Sequence, residues 1–205
     1  MLLRTLSRRG APLLLGARAR AAGLSILAGE VRGLQAPLKE KYAADAGSAL
    51  IEMKAEGYIN NENMTTTILG GPGQCVADGA DGERVTHSSL HPAAGGDGTE
   101  ACSGDMLLQS LVACAGVTLK AVWTAFGLGP VRSGRIVATG EMDFRGTLGV
   151  QKGAPVGLTK VDLAFHIDCD DDAAKVAKAV ATTERFCVIY QTLKNGVPEL
   201  EGRVV

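Results

Sequence analysis

The sequence predicts an α+β fold of antiparallel strands with separate helices, on three observations. Residues 103–126 are one long apolar stretch without proline. Residues 158–168 alternate apolar with polar side chains, the pattern of a half-buried antiparallel strand. The order of elements along the chain (helix, strands, buried helix, strands, helix, strand) lacks the strand–helix alternation of a parallel sheet. The chain's 205 residues, 46% hydrophobic and 21% charged, suit one sizeable core and are few for two. With 27 glycines and only 4% aromatics, that core is expected to hold small and branched aliphatics joined by tight turns. A formal net charge of −1 supplies no positive field for phosphate backbones or anionic lipid. Neither nucleic acid nor membrane is therefore expected as a partner, which leaves small molecules and proteins.

The N-terminus stands apart. Arg4, Arg8, Arg9, Arg18 and Arg20 all precede the first acidic residue, Glu30, in a stretch rich in leucine and alanine. A basic, acid-free amphipathic segment is what organelle import requires, so residues 1–33 are expected to be a cleaved presequence and residues 34–205 the folded domain. The longest apolar run within it, residues 13–15, is too short for a secretory core or a membrane span. The mitochondrial matrix is favoured over the plastid because Ser7 and Ser25 are its only serines.

Pro37 stands where a helix would begin, and Leu38, Tyr42, Ala46, Leu50 and Met53 recur at helical spacing up to Gly57. Residues 64–69 are Thr-rich and β-prone, and residues 84–90 form the next strand of a hairpin or meander after two glycine-marked turns. A polar glycine loop leads into the buried helix, with Ser103 as its N-cap and Asp105 in its first turn, where a carboxylate favours the positive helix end. Gly127 and Gly129–Pro130 stop it. Ser110, Cys114 and Thr118 lie four residues apart along it, so a polar seam drifting only about 80° runs down an apolar helix. Residues 135–144 and 158–168 read as antiparallel strands. The second helix opens at Asp170 to Asp172, turns Val176, Ala177, Val180 and Ala181 inward, and runs toward Cys187. After the Asn195–Gly196 turn the tail is expected to add a last strand.

Cys75, Cys102, Cys114, Cys169 and Cys187 include no CxxC pair and no zinc spacing, and in a reducing organelle they are expected as thiols. His87 and His91, at i and i+4, would suit a metal only on a helix, and Pro92 with Gly95–Gly96 argues for strand or loop. No metal is expected.

The glycine loop followed by GDMLLQSLVACAGVTL resembles the signature helix of the OsmC/Ohr family, and ERFCVIYQTL resembles that family's second cysteine motif. The likeness covers roughly residues 36–205 and is to the OsmC-like branch more than to the Ohr branch. It implies antiparallel sheets around long central helices in an intertwined homodimer. It also implies thiol-dependent reduction of organic hydroperoxides, with an external thiol as reductant and no cofactor. On this resemblance Cys114 falls on the peroxidatic cysteine, Cys187 on the resolving cysteine, and Asp105 on the acid that holds an arginine near the thiolate. The sequence departs from the pattern in having Cys102 and Ser103 where a proline is usual, Asp in place of Glu, and no arginine at residues 70–73. Arg84 is then the nearest candidate for the cation.

Chemistry makes that cation a pointed question. A thiol with pKa about 8.5 is only a few per cent ionised at neutral pH. The dipole of the cysteine's own helix fades within its first turn, and burial opposes ionisation. Activation is thus expected from a cation, Arg84, Arg185 or one from a partner subunit, with Thr118 and Ser110 as hydroxyl donors. Without it, the chain would be a dimeric binding protein holding a fatty or aromatic ligand in its apolar cleft.

Overall fold

The long apolar stretch is the axis on which the rest of the molecule is hung. In the computed structural model, which describes residues 30–53, 55–60, 64–70 and 84–204, it is a single helix, α2 (Ser103–Ala125). It packs against strand β5 (Ser133–Met142) and against helices α4 (Ala173–Phe186) and α5 (Val188–Asn195). Its length and composition would also let it cross a bilayer, a test that the core helix of a soluble protein passes equally well. Its first turn is capped by Cys102 in extended conformation, so Ser103 is the first helical residue and not the expected cap. Gly127, at φ +63°, reverses the chain after its last turn, a backbone setting that favours glycine.

β5 pairs antiparallel with β6 (Leu158–Asp168), Ser133 opposite Asp168 and Ile136 opposite Phe165. That register turns Val161, Leu163, Phe165 and Ile167 of β6 onto the helices, as their alternation predicts. One core cluster joins Leu111, Ala115 and Cys187 to these strand residues; a second joins Val122 and Trp123 of α2 to Ala179 of α4. The loop between α2 and β5 is pinned at both groups of Gly129: its carbonyl accepts from Trp123 Nε1 at 2.7 Å, and its amide donates to Asp171 at 2.8 Å. Arg132 bridges Asp168 and Asp170 at the end of the hairpin.

The other sheet is a meander, β1 (Glu56–Ile59), β2 (Thr65–Gly70) and β3 (Arg84–Ser89), extended by a short parallel strand, β4 (Ala101–Cys102), that leads directly into α2. The hairpin or meander reading of residues 64–90 thus matches the backbone, with β1 as an additional strand.

Four local expectations fail. The first helix, α1 (Val31–Ala44), encloses Pro37 in its interior and ends well before Gly57; Leu50 and Met53, assigned to its apolar stripe, lie beyond it and are 84% and 77% exposed. On α4 the inner face is Val176, Ala179 and Thr183, while Ala177 and Ala181 face outward, because alanine is too small to mark which side of a helix is apolar. After α4 comes a separate helix, α5. Gly196, at φ +75°, ends it, but the tail forms no strand: Val197 and Leu200 are 55% and 88% exposed. A short helix, α3 (Phe144–Thr147), follows β5. Residues 1–29 of the expected presequence, and Cys75, lie outside the described residues.

Candidate functional site

Cys187 sits in the bend between two helices and serves both. Its amide donates to Thr183 O at 2.8 Å, closing α4, and its carbonyl accepts from Gln191 N at 3.0 Å, opening α5. Its side chain is fully buried against Leu111 and Ala115 of α2. Between those two positions on α2, half-buried Cys114 meets it, thiol to thiol.

The start of α5 decides the electrostatics of this pair. The first backbone N–H groups of any helix lack partners within it and carry the positive end of its dipole. Here Val188 and Ile189 direct theirs at the Cys114 sulfur, which also accepts from the Cys187 thiol and the Thr118 hydroxyl. Burial pushes the Cys114 thiol up, but Ile189 N–H, the Cys187 S–H and the remaining donors outweigh it and bring its pKa below the ordinary thiol value. Cys187 moves the other way. Burial pushes it up, the adjacent Cys114 sulfur adds to that, and the N–H groups of Tyr190 and Ile189 compensate only in part. Cys114 is therefore the member that ionises, and Cys187 remains a thiol donating to it.

These backbone donors were not among the groups expected to act on Cys114, which were a cation and side-chain hydroxyls. The dipole of α2 is indeed too far away, but the donors come from a second helix whose N-terminus packs against the middle of α2. Arg185 does not supply the charge: it stacks over the Phe186 ring, 5.2 Å from its centroid, on the exposed side of α4. The backbone of Arg84 opens β3 opposite Gly70, and its side chain lies outside what the structure describes. Asp105 is exposed in the first turn of α2, nine residues and so about 13.5 Å along the axis from Cys114. Among the described residues it forms no ion pair, and it lines a separate cavity of about 340 Å³ with His91, Cys102 and Phe144.

The seam also divides. Thr118 turns to Cys114, whereas Ser110 donates back to Leu107 O at 2.7 Å and is spent on its own helix. Cys169 packs in the second core cluster and Cys102 caps α2. His91 accepts Ala93 N–H on Nδ1 and stacks on Phe144, and among the described residues no group of side chains converges on a metal position. Three apolar side chains near the cysteine pair are exposed: Val117, one turn beyond Cys114, and Phe186 and Val188, which flank Cys187, at 75%, 59% and 67%.

Sequence reasoning did not find the donors of Val188 and Ile189, because backbone groups leave no signature in side-chain chemistry. The available signal was the apolar spacing of Ile189, Tyr190 and Leu193 ahead of the Asn195–Gly196 stop, which is a short amphipathic helix of its own.

Residues 96–199 match the family model described as OsmC-like protein. Among solved structures, the chain is similar to an OsmC-like protein from Mycoplasma pneumoniae (TM-score 0.54, 14% identity, covering 71% of this chain and 89% of that one). It is similar also to an OsmC-like protein of unknown function from Vibrio cholerae (TM-score 0.51, 13% identity, 70% and 94% covered). At these identities the likeness is one of fold. No curated protein matches the sequence.

Proposed function

Since this chain belongs to the OsmC-like protein family, we propose that it is a thiol peroxidase that reduces organic hydroperoxides, with Cys114 as nucleophile and Cys187 as resolving thiol. What supports this reading is the contact of the Cys114 and Cys187 thiols at the N-terminus of α5, with the pKa of Cys114 lowered and that of Cys187 raised from the ordinary thiol value.

The Cys114 thiolate attacks the outer oxygen of the hydroperoxide and the O–O bond breaks. The sulfur takes up OH as a sulfenic acid, and the departing alkoxide acquires a proton to leave as an alcohol. The Cys187 sulfur then displaces hydroxide from the sulfenic sulfur, water is lost with the Cys187 proton, and a disulfide closes. Two equivalents of an external thiol, or one dithiol, return both cysteines to thiols. Thr118 and the α5 amides steady the negative sulfur before attack. The exposed apolar surface of Val117, Phe186 and Val188 favours a peroxide with an apolar tail over hydrogen peroxide.

The working unit in this proposal is a homodimer. Val117 in the middle of α2 and Ile59 at the end of β1 are 75% and 82% exposed, and among the described residues β5 and β6 pair only with each other, leaving two long strand edges. The arginine-rich residues 1–33 support import into the mitochondrial matrix. Attached to a fluorescent reporter they should direct it there, and a cytosolic reporter would refute the assignment.

The test of function is turnover of cumene hydroperoxide with a dithiol reductant. The unaltered chain should consume peroxide catalytically and Cys114→Ser should not, since a hydroxyl without a base is a poor nucleophile. Equal turnover by both would refute the assignment of Cys114, and no turnover by either would refute the peroxidase. An apolar-ligand binder would then be the better description, supported by the cavity of about 290 Å³ lined by Leu119, Trp123, Val131, Ile136 and Ile167.

A further inference from the structure

We propose that Gln191 is a positioning residue that fixes the angle between α4 and α5 and thereby holds the α5 amides on Cys114. Its Nε2 donates to Glu184 O at 2.8 Å, a bond that reaches from α5 back across the Cys187 bend to the last turn of α4. Glu184 O is one of the carbonyls that a helix end leaves without an intrahelical partner, so this bond satisfies it and ties the two helices together. The amide is itself oriented: Gln191 Oε1 accepts from Asn195 Nδ2 at 2.9 Å, which leaves Nε2 facing α4.

The bend needs such a brace. Cys187 is its one residue between the helices, in extended conformation at φ −73° and ψ 111°. The main-chain bonds at Cys187 close each helix separately, Cys187 N to Thr183 O and Gln191 N to Cys187 O. Neither sets the direction of one helix relative to the other. The Gln191 side chain does, and it lies less than one turn from Val188 and Ile189, whose N–H groups face the Cys114 sulfur. Hydrogen bonds weaken steeply with misalignment, so a small rotation of α5 withdraws them. The inference depends on Cys114 being the reactive thiolate proposed above.

The test reads thiol chemistry and not turnover. In the full-length chain, alkylation of Cys114 by iodoacetamide is followed against pH by mass spectrometry of its peptide, for the unaltered protein, Gln191→Leu, Gln191→Lys, Asn195→Ala and, as a control on the same helix, Lys194→Ala. Gln191→Leu should raise the apparent pKa by about 0.2–0.7 units, the scale of a helix-terminus effect. Gln191→Lys, whose ammonium reaches the same carbonyl, should restore the profile, and Lys194→Ala should leave it unmoved. Asn195→Ala, at an exposed site that cannot threaten folding, should give a smaller rise. If Gln191→Leu lowers the melting temperature but keeps the unaltered profile, Gln191 merely packs and the inference is overturned. If the unaltered chain has a depressed thiol pKa that Gln191→Leu raises, yet no peroxide is consumed, the brace stands and the peroxidase reading falls.

Discussion

Replacing Cys187 separates its two assigned duties, hydrogen-bond donor to the Cys114 thiolate and partner in the disulfide. Cys187→Ala removes both; Cys187→Ser removes the second and keeps a hydroxyl in place of the donor. Both variants should fold, because the bonds by which residue 187 closes α4 and opens α5 are main-chain bonds that no side chain supplies. The loss of a fully buried sulfur should cost about 1 kcal/mol. A net hydrogen bond contributes about 0.5–1.5 kcal/mol, so losing the thiol donor should raise the apparent pKa of Cys114 by about 0.4–1.1 units in the alanine variant. The serine variant should stay near the unaltered value. Alkylation rate against pH measures this. One equivalent of cumene hydroperoxide, followed by a dimedone trap, measures the second duty: in both variants sulfenic acid should accumulate on Cys114 and over-oxidise on further peroxide. An alanine profile that superimposes on the unaltered one would remove the thiol–thiol contact from the explanation of Cys114's reactivity.

Thr118→Val, which keeps the shape and deletes the hydroxyl, should raise the Cys114 pKa by less than Cys187→Ala does, and an equal or larger rise in the same alkylation assay would reverse the ranking of donors. Leu111→Ala, at a position 1% exposed between the cysteine pair and β6, should lower stability to urea by about 2–5 kcal/mol. Gly96→Ala should lower the melting temperature strongly, because its Cβ would stand 1.8 Å from Leu90 O in the loop that feeds α2. The pH dependence of stability has a definite sign. Cys114, depressed in the fold, contributes stability that is present above the unfolded thiol pKa of about 8.5 and is lost as pH falls through its folded value. Cys187, raised in the fold, contributes stability present below that unfolded value and lost as pH climbs through its folded one. Denaturation of Cys114→Ser beside the unaltered chain should therefore show a gap that widens from neutral to alkaline pH.

What the sequence revealed and what it hid follow one physical division. The extent of α2 was legible because a long apolar run and a terminating glycine are local signals, and the expected end missed the observed one by a single residue, although the cap proved to be Cys102 and not Ser103. β6 was legible to its exact residues because period-two alternation is itself the register. The Cys114–Thr118 seam followed from helical spacing alone. α5 was missed because no glycine or proline marks the bend at Cys187, and apolar residues run across it. Since α5 was missing, so were its amides, and the groups considered for Cys114 were a cation and side-chain hydroxyls alone. Ser110 shows the limit of spacing: it shares the seam, but its hydroxyl serves the carbonyl three residues back. On α4 Val176 was placed correctly, but Ala177 and Ala181 were expected inward where Ala179 and Thr183 are buried, because alanines carry almost no polarity contrast. Pro37 misled in the same local way, since a proline that commonly starts helices stands here in the interior of α1.

The most direct measurement is non-reducing peptide mapping of the full chain after one equivalent of an organic hydroperoxide in the absence of any reductant. Stoichiometric loss of the peroxide with closure of a Cys114–Cys187 disulfide, and with Cys102 and Cys169 still alkylatable, is the expected result. Peroxide lost without that disulfide, or both cysteines recovered as thiols beside unconsumed peroxide, would contradict the assignment of this pair as the reactive centre.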